Sequence, residues 1–554
     1  MIDTARVVGG AAGAVLDATT EAVGGASPNA AIEVVFVLLA AATALAIVAR
    51  RLGMPYPILL VLGGLAVGFV PGLPRIELEP SLVFLLFLPP ILFGAGYFTS
   101  IRDFKANLRP ITLLSVGLVL ATTIIVAVVA HALIPTLGWP AAFALGAIVA
   151  PPDAVAATAI FQRLGAPRRA VTILEGESLV NDATALVAYK FAIIAATTGA
   201  FSLVDAGLSF VVVAIGGIGL GIVVGWVVSF LITRVDDPVF SVVITFLAPV
   251  AAYLPAEQIG VSGVLATVTA GIWLGRHAPS RMSSAVRIAG TAAWQILIFL
   301  INGAVFILIG LQLPSVLESL AGRPPIELLG LASAISVTVI LVRIAWVYPG
   351  TYVPRMLSAG IRAREPRPSE RNVFLVSWAG MRGVVSLAAA LALPVTTAYG
   401  EPFPERDLVV FLAFAVIVAT LVGQGLTLPL IIRGLRISGD GPDGHEESRA
   451  RIVAAEAAVR RINELAREWP GHMELVDALR AQYEHRARDI ERHDNEGPET
   501  ESEQEQLEHR IIRSAVIEAE REELIRLHET GSIRDEIFRR VERDLDLEEL
   551  RLEA

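Results

Sequence analysis

The chain has 554 residues, of which 54% are hydrophobic and 18% are charged. This composition is too apolar for an ordinary soluble protein and favours a polytopic membrane protein. The formal net charge of −10 indicates little about partners, because the charged segment after residue 438 dominates it. The chain has no cysteine, which excludes disulfides and thiolate metal sites.

Hydropathy predicts thirteen membrane spans, since a spanning helix requires about 20 mostly apolar residues. The predicted spans are 31–49, 56–71, 81–98, 110–134, 140–162, 170–197, 206–233, 238–254, 259–275, 289–313, 326–347, 371–395 and 407–432. Asp17 and Glu21 interrupt the weak apolar run before them. Because a cleaved signal peptide needs a continuous apolar core, we predict a retained, mobile N-terminal segment over residues 1–30.

The loop charges predict one orientation of these spans. One set of alternate loops contains 19 lysine and arginine residues, and the other set contains 4. The positive-inside rule then places the N-terminus outside and the C-terminus in the cytoplasm, which we expect for a multi-pass protein of the cell membrane.

The spans divide into six, a linker span and six, and the fifth span of each set is interrupted. Pro151 and Pro152 interrupt the first of these, and Gly380-Met381-Arg382-Gly383 interrupts the second. Interruptions at matching positions are typical of inverted-repeat transporters with a site at the midplane. We therefore predict an all-α membrane domain over 31–435, built from two inverted six-helix repeats with broken crossing helices.

A charged segment follows the membrane domain. The Gly/Asp/Pro-rich stretch from Ser438 to Gly444 predicts a linker over 436–447, and the charge pattern beyond it predicts a helical cytosolic tail over 448–554. Two interpretations stay open. The tail packs on itself or on a neighbouring subunit, or it regulates transport.

Carboxylates in the sixth span are the first candidates for function, because a charge in mid-membrane costs at least about 2.5 kcal/mol. Helical periodicity places Asp182, Ser178 and Glu175 on one face, with Glu177 and Asn181 on another. Asp182 and Ser178 offer the hard oxygen ligands that a small cation requires.

The break in the fifth span is the second part of the predicted site. Backbone carbonyls at Ala150 and Pro151, freed where the helix is broken, can hold a cation. Asp153 has two interpretations: it binds the ion, or its side chain caps the second half of the broken helix.

Buried charges must pair, and Arg382 beside the second break is the predicted partner of Glu177. Glu175 and Arg343 are secondary candidates. Glu175 can instead interact with the helix dipole at the cytoplasmic end, and Arg343 can snorkel or pair structurally.

A single carboxylate with two competing ligands predicts exchange. A proton or a cation can occupy Asp182, but not both. If only the neutralised site crosses the membrane, transport is obligatory exchange. The neighbour of Asp182 is Asn181 rather than a second carboxylate, which favours one cation per proton.

Two motifs resemble the signatures of the monovalent cation/proton antiporters, in the branch that holds the bacterial sodium/proton antiporters and the animal sodium/proton exchangers. They are Gly176-Glu177-Ser178-Leu179-Val180-Asn181-Asp182 and Gly380-Met381-Arg382-Gly383, and Pro152-Asp153 falls at that family's unwound fifth helix. The likeness covers residues 31–435.

The resemblance implies that Asp182 binds Na⁺ and the proton, beside Asn181 and Ser178, and that Glu177 pairs with Arg382. It also implies that the exchange is electroneutral. The protein would be a homodimer in which a core domain moves against a dimerisation domain. One departure is that Pro152 precedes Asp153 where many members have a hydroxyl residue. A side-chain oxygen is therefore missing, and carbonyls over residues 149–151 are expected to compensate.

These arguments predict a Na⁺/H⁺ antiporter, with Li⁺ as a further ion, that serves pH homeostasis. The alternatives are a K⁺/H⁺ antiporter of the same mechanism, a cation channel and a membrane-embedded enzyme; the His-Glu-x-x-His pattern of a metalloprotease is absent from the sequence. The expected partners are monovalent cations, protons, the lipid bilayer and a second copy of the chain. No catalytic residue, cofactor or nucleic acid is expected.

Overall fold

The computed structural model describes residues 28–70, 83–199, 203–235, 237–277, 282–364, 367–397, 400–437, 443–496, 501–530 and 532–553. The predicted N-terminal segment lies outside these residues, apart from positions 28–30. The chain divides into two compact units, Met1–Gly439 and Asp440–Ala554. This boundary falls within the Gly/Asp/Pro-rich stretch, and the predicted ends of the domains stay predictions.

The first unit is helical, and the described residues contain no β-strand, only an isolated bridge between Thr396 and Pro402. Its helices are α1 (Pro28–Leu52), α2 (Tyr56–Gly68), α3 (Leu88–Phe98), α4 (Leu108–Leu133), α5 (Trp139–Val149), α6 (Ala154–Arg163), α7 (Arg168–Thr198), α8 (Leu203–Ile232), α9 (Pro238–Gln258), α10 (Gly263–His277), α11 (Ser284–Glu318), α12 (Pro325–Leu357), α13 (Glu370–Trp378), α14 (Val384–Leu391) and α15 (Arg406–Gly434). Short helices at Ile101–Ala106 and Ala359–Arg364 lie in loops, and π-helical turns occur at Val83–Phe87, Leu113–Leu118 and Ala419–Gln424.

Each of the thirteen predicted ranges overlaps a helix or a pair of half-helices in this order. Among the described residues, eight segments are long and apolar enough to cross a membrane, with α5 and α6 counted together, and two further apolar helices are shorter. The predicted all-α membrane fold is confirmed. The count of thirteen spans and the inverted repeat stay predictions.

Both predicted interruptions are present, and each has a local cause. The chain leaves helical geometry between α5 and α6, where Pro151 and Pro152 lack the N–H groups that would continue the helix. Between α13 and α14 the chain has non-helical geometry through Gly380 and Gly383. Each span is therefore a pair of half-helices, whose free ends meet inside the protein.

Small residues let the helices approach closely, as is common between membrane helices. A Cβ atom at Gly64 of α2 or at Gly310 of α11 would collide with the backbone of the other helix. A Cβ atom at Gly146 of α5 would likewise collide with the carbonyl of Thr123 on α4. Backbone contact at these positions fixes the spacing of the helices around the broken spans.

The second unit consists of four longer helices: α16 (Asp443–Glu468), α17 (Met473–Glu496), α18 (Glu501–Glu529) and α19 (Asp535–Glu553), with a 3₁₀ turn at Pro470–His472. Ile517 and Leu524 of α18 are buried with Leu545 of α19 in a small apolar core. The helices predicted for the tail are present. Its role, self-packing or regulation, stays a prediction.

Candidate ion-binding site

The two breaks contact each other. The backbone N–H of Asp153, at the first break, donates to the carbonyl of Met381 at the second, with an N–O distance of 2.7 Å. Four helix ends therefore converge here, the N-termini of α6 and α14 and the C-termini of α5 and α13. Helix N-termini carry partial positive charge and C-termini partial negative charge, so each kind of end needs its own partner.

The Asp153 carboxylate compensates the positive charge at both helix N-termini. Its Oδ1 accepts from the N–H of Val155 at 2.9 Å, which caps α6. The carboxylate also accepts from the N–H of Val384, the first residue of α14. The capping interpretation of Asp153 therefore describes the geometry, because one negative charge lies against two positive helix ends.

Two arginines donate hydrogen bonds to carbonyls at the two helix C-termini. Arg382 donates through Nε to the carbonyl of Val149, the last residue of α5, at 3.1 Å, and through a second nitrogen to the carbonyl of Gly380. Arg343 of α12 donates to the carbonyl of Val376 in α13, from Nε at 3.3 Å and Nη2 at 3.2 Å. The carbonyl of Val149, expected to be available to a cation, is thus occupied by a guanidinium.

Glu177 pairs with Arg343, so the predicted pairing of Glu177 with Arg382 is wrong. Nη1 and Nη2 of Arg343 donate to the two carboxylate oxygens of Glu177 at 2.6 and 2.8 Å, and both side chains are at most 1% exposed. Such a bidentate contact saturates the carboxylate. Arg382 instead donates to backbone carbonyls at the C-termini of α5 and α13.

Gly383 is tightly packed against Asp153, since a Cβ atom at position 383 would overlap the Asp153 carboxylate. We expect Gly383→Ala to displace the carboxylate from both helix ends and to lower stability by about 1–3 kcal/mol. Thermal unfolding in detergent measures this loss. Gly219→Ala in α8, where a Cβ atom meets nothing within 4 Å, is the matched control and should change stability by less than about 0.5 kcal/mol. Equal unfolding midpoints for the two variants would contradict the packing argument.

The two broken spans, α5–α6 and α13–α14, together form what we call the crossing. A cavity of about 320 Å³ lies beside it, with room for about ten water molecules. Its lining includes Asp182, Ser178 and Glu175 of α7, together with Asp153 and Pro151 from the break. Asp182 is 6% exposed, and no hydrogen bond to its carboxylate is found within the described part of the chain. The face predicted from helical periodicity therefore borders one cavity, with an acidic group that lacks a protein donor.

The cavity extends from Asp182 to the ends of three helices. Thr99 follows α3, Gln162 lies near the end of α6, and Glu175 lies in the second turn of α7. The loops at these ends are on the predicted cytoplasmic side. In this conformation the cavity thus leads from Asp182 toward that side, and Glu175 lies along it rather than at the first turn of the helix.

Asn181 and Ala150 lie outside the cavity lining, although both were predicted to take part. Asn181 is fully buried, and its Nδ2 donates to the carbonyl of Pro152 at 2.7 Å. This bond joins α7 to the first break, so Asn181 supports the backbone next to the cavity. It also occupies a second carbonyl of the break.

Sequence reasoning ranked one residue of this region too low and missed another. Arg343 was considered only as a secondary candidate, because it lies in a long apolar span without a surrounding motif. The hydroxyl of Thr420 on α15 accepts from the N–H of Arg382 at 3.1 Å, which no pattern indicated. Outside the cavity lining, Lys190 of α7 forms a structural pair with Glu257 of α9 at 3.0 Å, at a partly exposed position.

The sequence model of the family described as "Sodium/hydrogen exchanger, transmembrane" matches residues 36–434. The chain belongs to this family. The resemblance inferred from the two motifs is therefore confirmed, and the exchanger is a transporter of a cation/proton antiporter family rather than an enzyme.

Curated relatives extend over most of the exchanger. It is 35% identical to an uncharacterized Na⁺/H⁺ exchanger of Mycobacterium tuberculosis over 525 residues, which are 94% of this chain and 96% of the relative. It is also 35% identical to the sodium, potassium, lithium and rubidium/H⁺ antiporter of Bacillus subtilis over 505 residues, 87% of this chain and 72% of the relative.

The fold is similar to a solved structure, that of the sodium proton antiporter MjNhaP1 from Methanocaldococcus jannaschii at pH 8. The TM-score is 0.56 at 19% identity, and the match covers 73% of the exchanger and 98% of that chain. At this identity the likeness shows the fold alone. The exchanger therefore shares the overall fold of that antiporter.

Proposed function

We propose that the exchanger carries out electroneutral exchange of one Na⁺ for one H⁺, with both ions competing for Asp182. The observation that carries this proposal is the Asp182 carboxylate itself. It lies at a cavity of about 320 Å³ inside the membrane unit, 6% exposed and without a protein hydrogen-bond donor among the described residues. A buried carboxylate in this position needs a cation or a proton to neutralise it.

The neighbouring groups support this role for Asp182. Ser178, one turn earlier on α7, lines the same cavity and offers a hydroxyl oxygen. Asp153 and Pro151 border the cavity from the break, and the Asp153 carboxylate is held by two helix N-termini. We assign these residues to the ion site, and Asn181 to the support of the Pro152 carbonyl.

The stoichiometry follows from the charges. Asp153 repels the charge of Asp182, but the helix ends compensate Asp153, so one positive charge neutralises the site. A proton and a monovalent cation carry the same charge. Exchange of one for the other moves no net charge, and the membrane potential should leave its rate unchanged.

A K⁺/H⁺ antiporter of the same mechanism is the second candidate. The observation that favours it is the Bacillus subtilis relative, which is named for sodium, potassium, lithium and rubidium. Oxygen ligands bind all of these ions and discriminate by cavity size and ligand number. The channel and the membrane-embedded enzyme have no comparable support.

We further propose that the exchanger is a homodimer in the cell membrane, with the N-terminus outside and the C-terminus cytoplasmic. The loop charges support the orientation. In the proposed motion, the crossing and α7 move together against the remaining helices. The contacts of Asn181 and Asp153 support this, because they join α7, α6 and α14 into one body.

Purified protein in liposomes tests the proposed exchange. We expect Na⁺ and Li⁺ gradients to drive proton movement at pH 6–9, at equal rates with and without a clamped membrane potential. A K⁺ gradient under the same conditions decides between the two candidates. Proton movement driven by K⁺ more strongly than by Na⁺ would favour the K⁺/H⁺ antiporter. Proton-independent conduction of a cation would contradict antiport, and dependence of the rate on the clamped potential would contradict the stoichiometry of one to one.

A further inference from the structure

Among the described residues, two buried oxygen atoms without a hydrogen-bond partner belong to side chains that line the Asp182 cavity. They are the hydroxyl oxygen of Ser386 and the amide oxygen of Asn302, and the two residues are 1% and 2% exposed. A buried polar atom without a partner is unfavourable, so each one in a folded protein calls for a ligand, a water molecule or another functional reason. Their shared position indicates the same reason for both.

Ser386 belongs to the crossing. It lies in the first turn of α14, two residues after Val384, whose N–H donates to Asp153. A shift of the crossing therefore carries Ser386 along with Asp153. Ser386 lines the cavity from this half-helix, and its hydroxyl is buried there.

Asn302 reaches the cavity from a different body of the protein. It lies in the middle of α11, and its side chain is hydrogen-bonded to the side chain of Tyr56 on α2. This bond orients the amide and leaves Oδ1 without a partner among the described residues. Asn302 therefore lines the cavity from helices that do not take part in the crossing.

The first break offers few free oxygens to a cation. Pro152 supplies no side-chain oxygen, its carbonyl accepts from Asn181, and the carbonyl of Val149 accepts from Arg382. Because helix N-termini hold the Asp153 carboxylate, the remaining ligands are Asp182, Ser178 and the backbone of Pro151, a sparse set for a hard cation. Further oxygens must come from water or from other walls of the cavity.

On the basis of the proposed function, we propose that Ser386 and Asn302 supply neutral oxygen ligands to the cation bound at Asp182 and thereby set its selectivity. Neutral oxygens add ligands without adding charge, so the exchange stays electroneutral. The number and spacing of oxygens determine which monovalent ion fits. Asn302 contributes only while the crossing faces α11 as it does here, whereas Ser386 accompanies the crossing.

The test measures the KM for Na⁺, Li⁺ and K⁺ in proteoliposomes for Ser386→Ala and Asn302→Ala. Loss of one oxygen contact should raise the KM for Na⁺ about three- to tenfold and change the ratios among the three ions. A purely structural role would lower the amount of folded protein without changing these ratios. Na⁺-dependent thermal stabilisation in detergent should weaken in parallel, which reports binding without transport.

Two matched controls lie outside the cavity. Within the part of the chain that the structure describes, the hydroxyl oxygen of the fully buried Ser115 lacks a partner, and so do the amide oxygen and nitrogen of the buried Gln424. Ser115→Ala and Gln424→Leu should leave the KM for Na⁺ within about twofold of the wild type. At position 386, threonine and valine have nearly equal shape, and only threonine should retain the wild-type KM.

The outcomes separate this inference from the proposed function. Wild-type KM values and ion ratios in both alanine variants, together with loss of exchange in Asp182→Asn, would overturn the ligand assignment and leave the antiport proposal standing. Equal KM values for the threonine and valine variants would overturn it for Ser386. Exchange that persists in Asp182→Asn would instead overturn the proposed function.

Discussion

Asp182→Asn is expected to abolish cation-driven proton movement while the protein stays folded. Asparagine has nearly the same shape as aspartate but carries no charge and does not titrate in this range. The variant therefore lacks the group for which, in the proposed mechanism, proton and cation compete. Because the change removes a buried charge without a protein donor, the unfolding midpoint should be equal to that of the wild type or higher.

Proteoliposomes with wild type and Asp182→Asn in equal amounts check this result, with Na⁺, Li⁺ and K⁺ tested in turn. Glu327→Gln is the control, since Glu327 is an exposed carboxylate outside the cavity lining. It should keep the wild-type rate. Wild-type exchange in Asp182→Asn would move the ion site to another carboxylate, with Asp153 and Glu175 as the next to test.

Loss of Arg343 is expected to destabilise the exchanger severely. Arg343→Met leaves the Glu177 carboxylate buried without its bidentate partner and frees the carbonyl of Val376. Removal of one member of a buried ion pair typically costs about 3–5 kcal/mol. Glu177→Met should have an effect of similar size, and the double variant should lose less stability than the sum of the two single changes.

Thermal unfolding of a double-mutant cycle measures this coupling. We expect a coupling energy of at least about 2 kcal/mol between Glu177 and Arg343. The coupling energy between Glu177 and Arg382 should stay below about 1 kcal/mol, because Arg382 contacts backbone carbonyls. Lys190→Ala, which removes the partly exposed pair with Glu257, is the control and should cost at most about 1 kcal/mol. A larger coupling for Glu177 and Arg382 would restore the pairing first predicted from the sequence.

The geometry of the crossing explains why these charges differ in kind. Asp153 compensates two helix N-termini, and Arg382 and Arg343 compensate two helix C-termini. Glu177 then balances Arg343. Asp182 has no such partner among the described residues, which supports the proposal that a transported ion neutralises it. Stability and transport are thus assigned to different charged residues of the same region.

The sequence by itself determined the features that depend on local physics. Hydropathy over about 20 residues placed the helices, and the missing N–H groups of Pro151 and Pro152 placed the first break. Helical periodicity placed Asp182, Ser178 and Glu175 on the face that lines the cavity. The two motifs identified the family, which the match over residues 36–434 confirms. Each of these depends on neighbours within a few turns of one helix.

The tertiary structure alone decided which groups meet across helices. Glu177 and Arg343 are 166 residues apart, and the motif around Arg382 made the wrong arginine the more visible choice. Likewise, the sequence could not show that Arg382 and Asn181 occupy carbonyls of the first break, or that Ser386 and Asn302 reach the cavity without partners. Such contacts depend on the distance and rotation between packed helices, which local hydropathy and periodicity do not specify, because each helix can turn and shift against its neighbours until close packing fixes it.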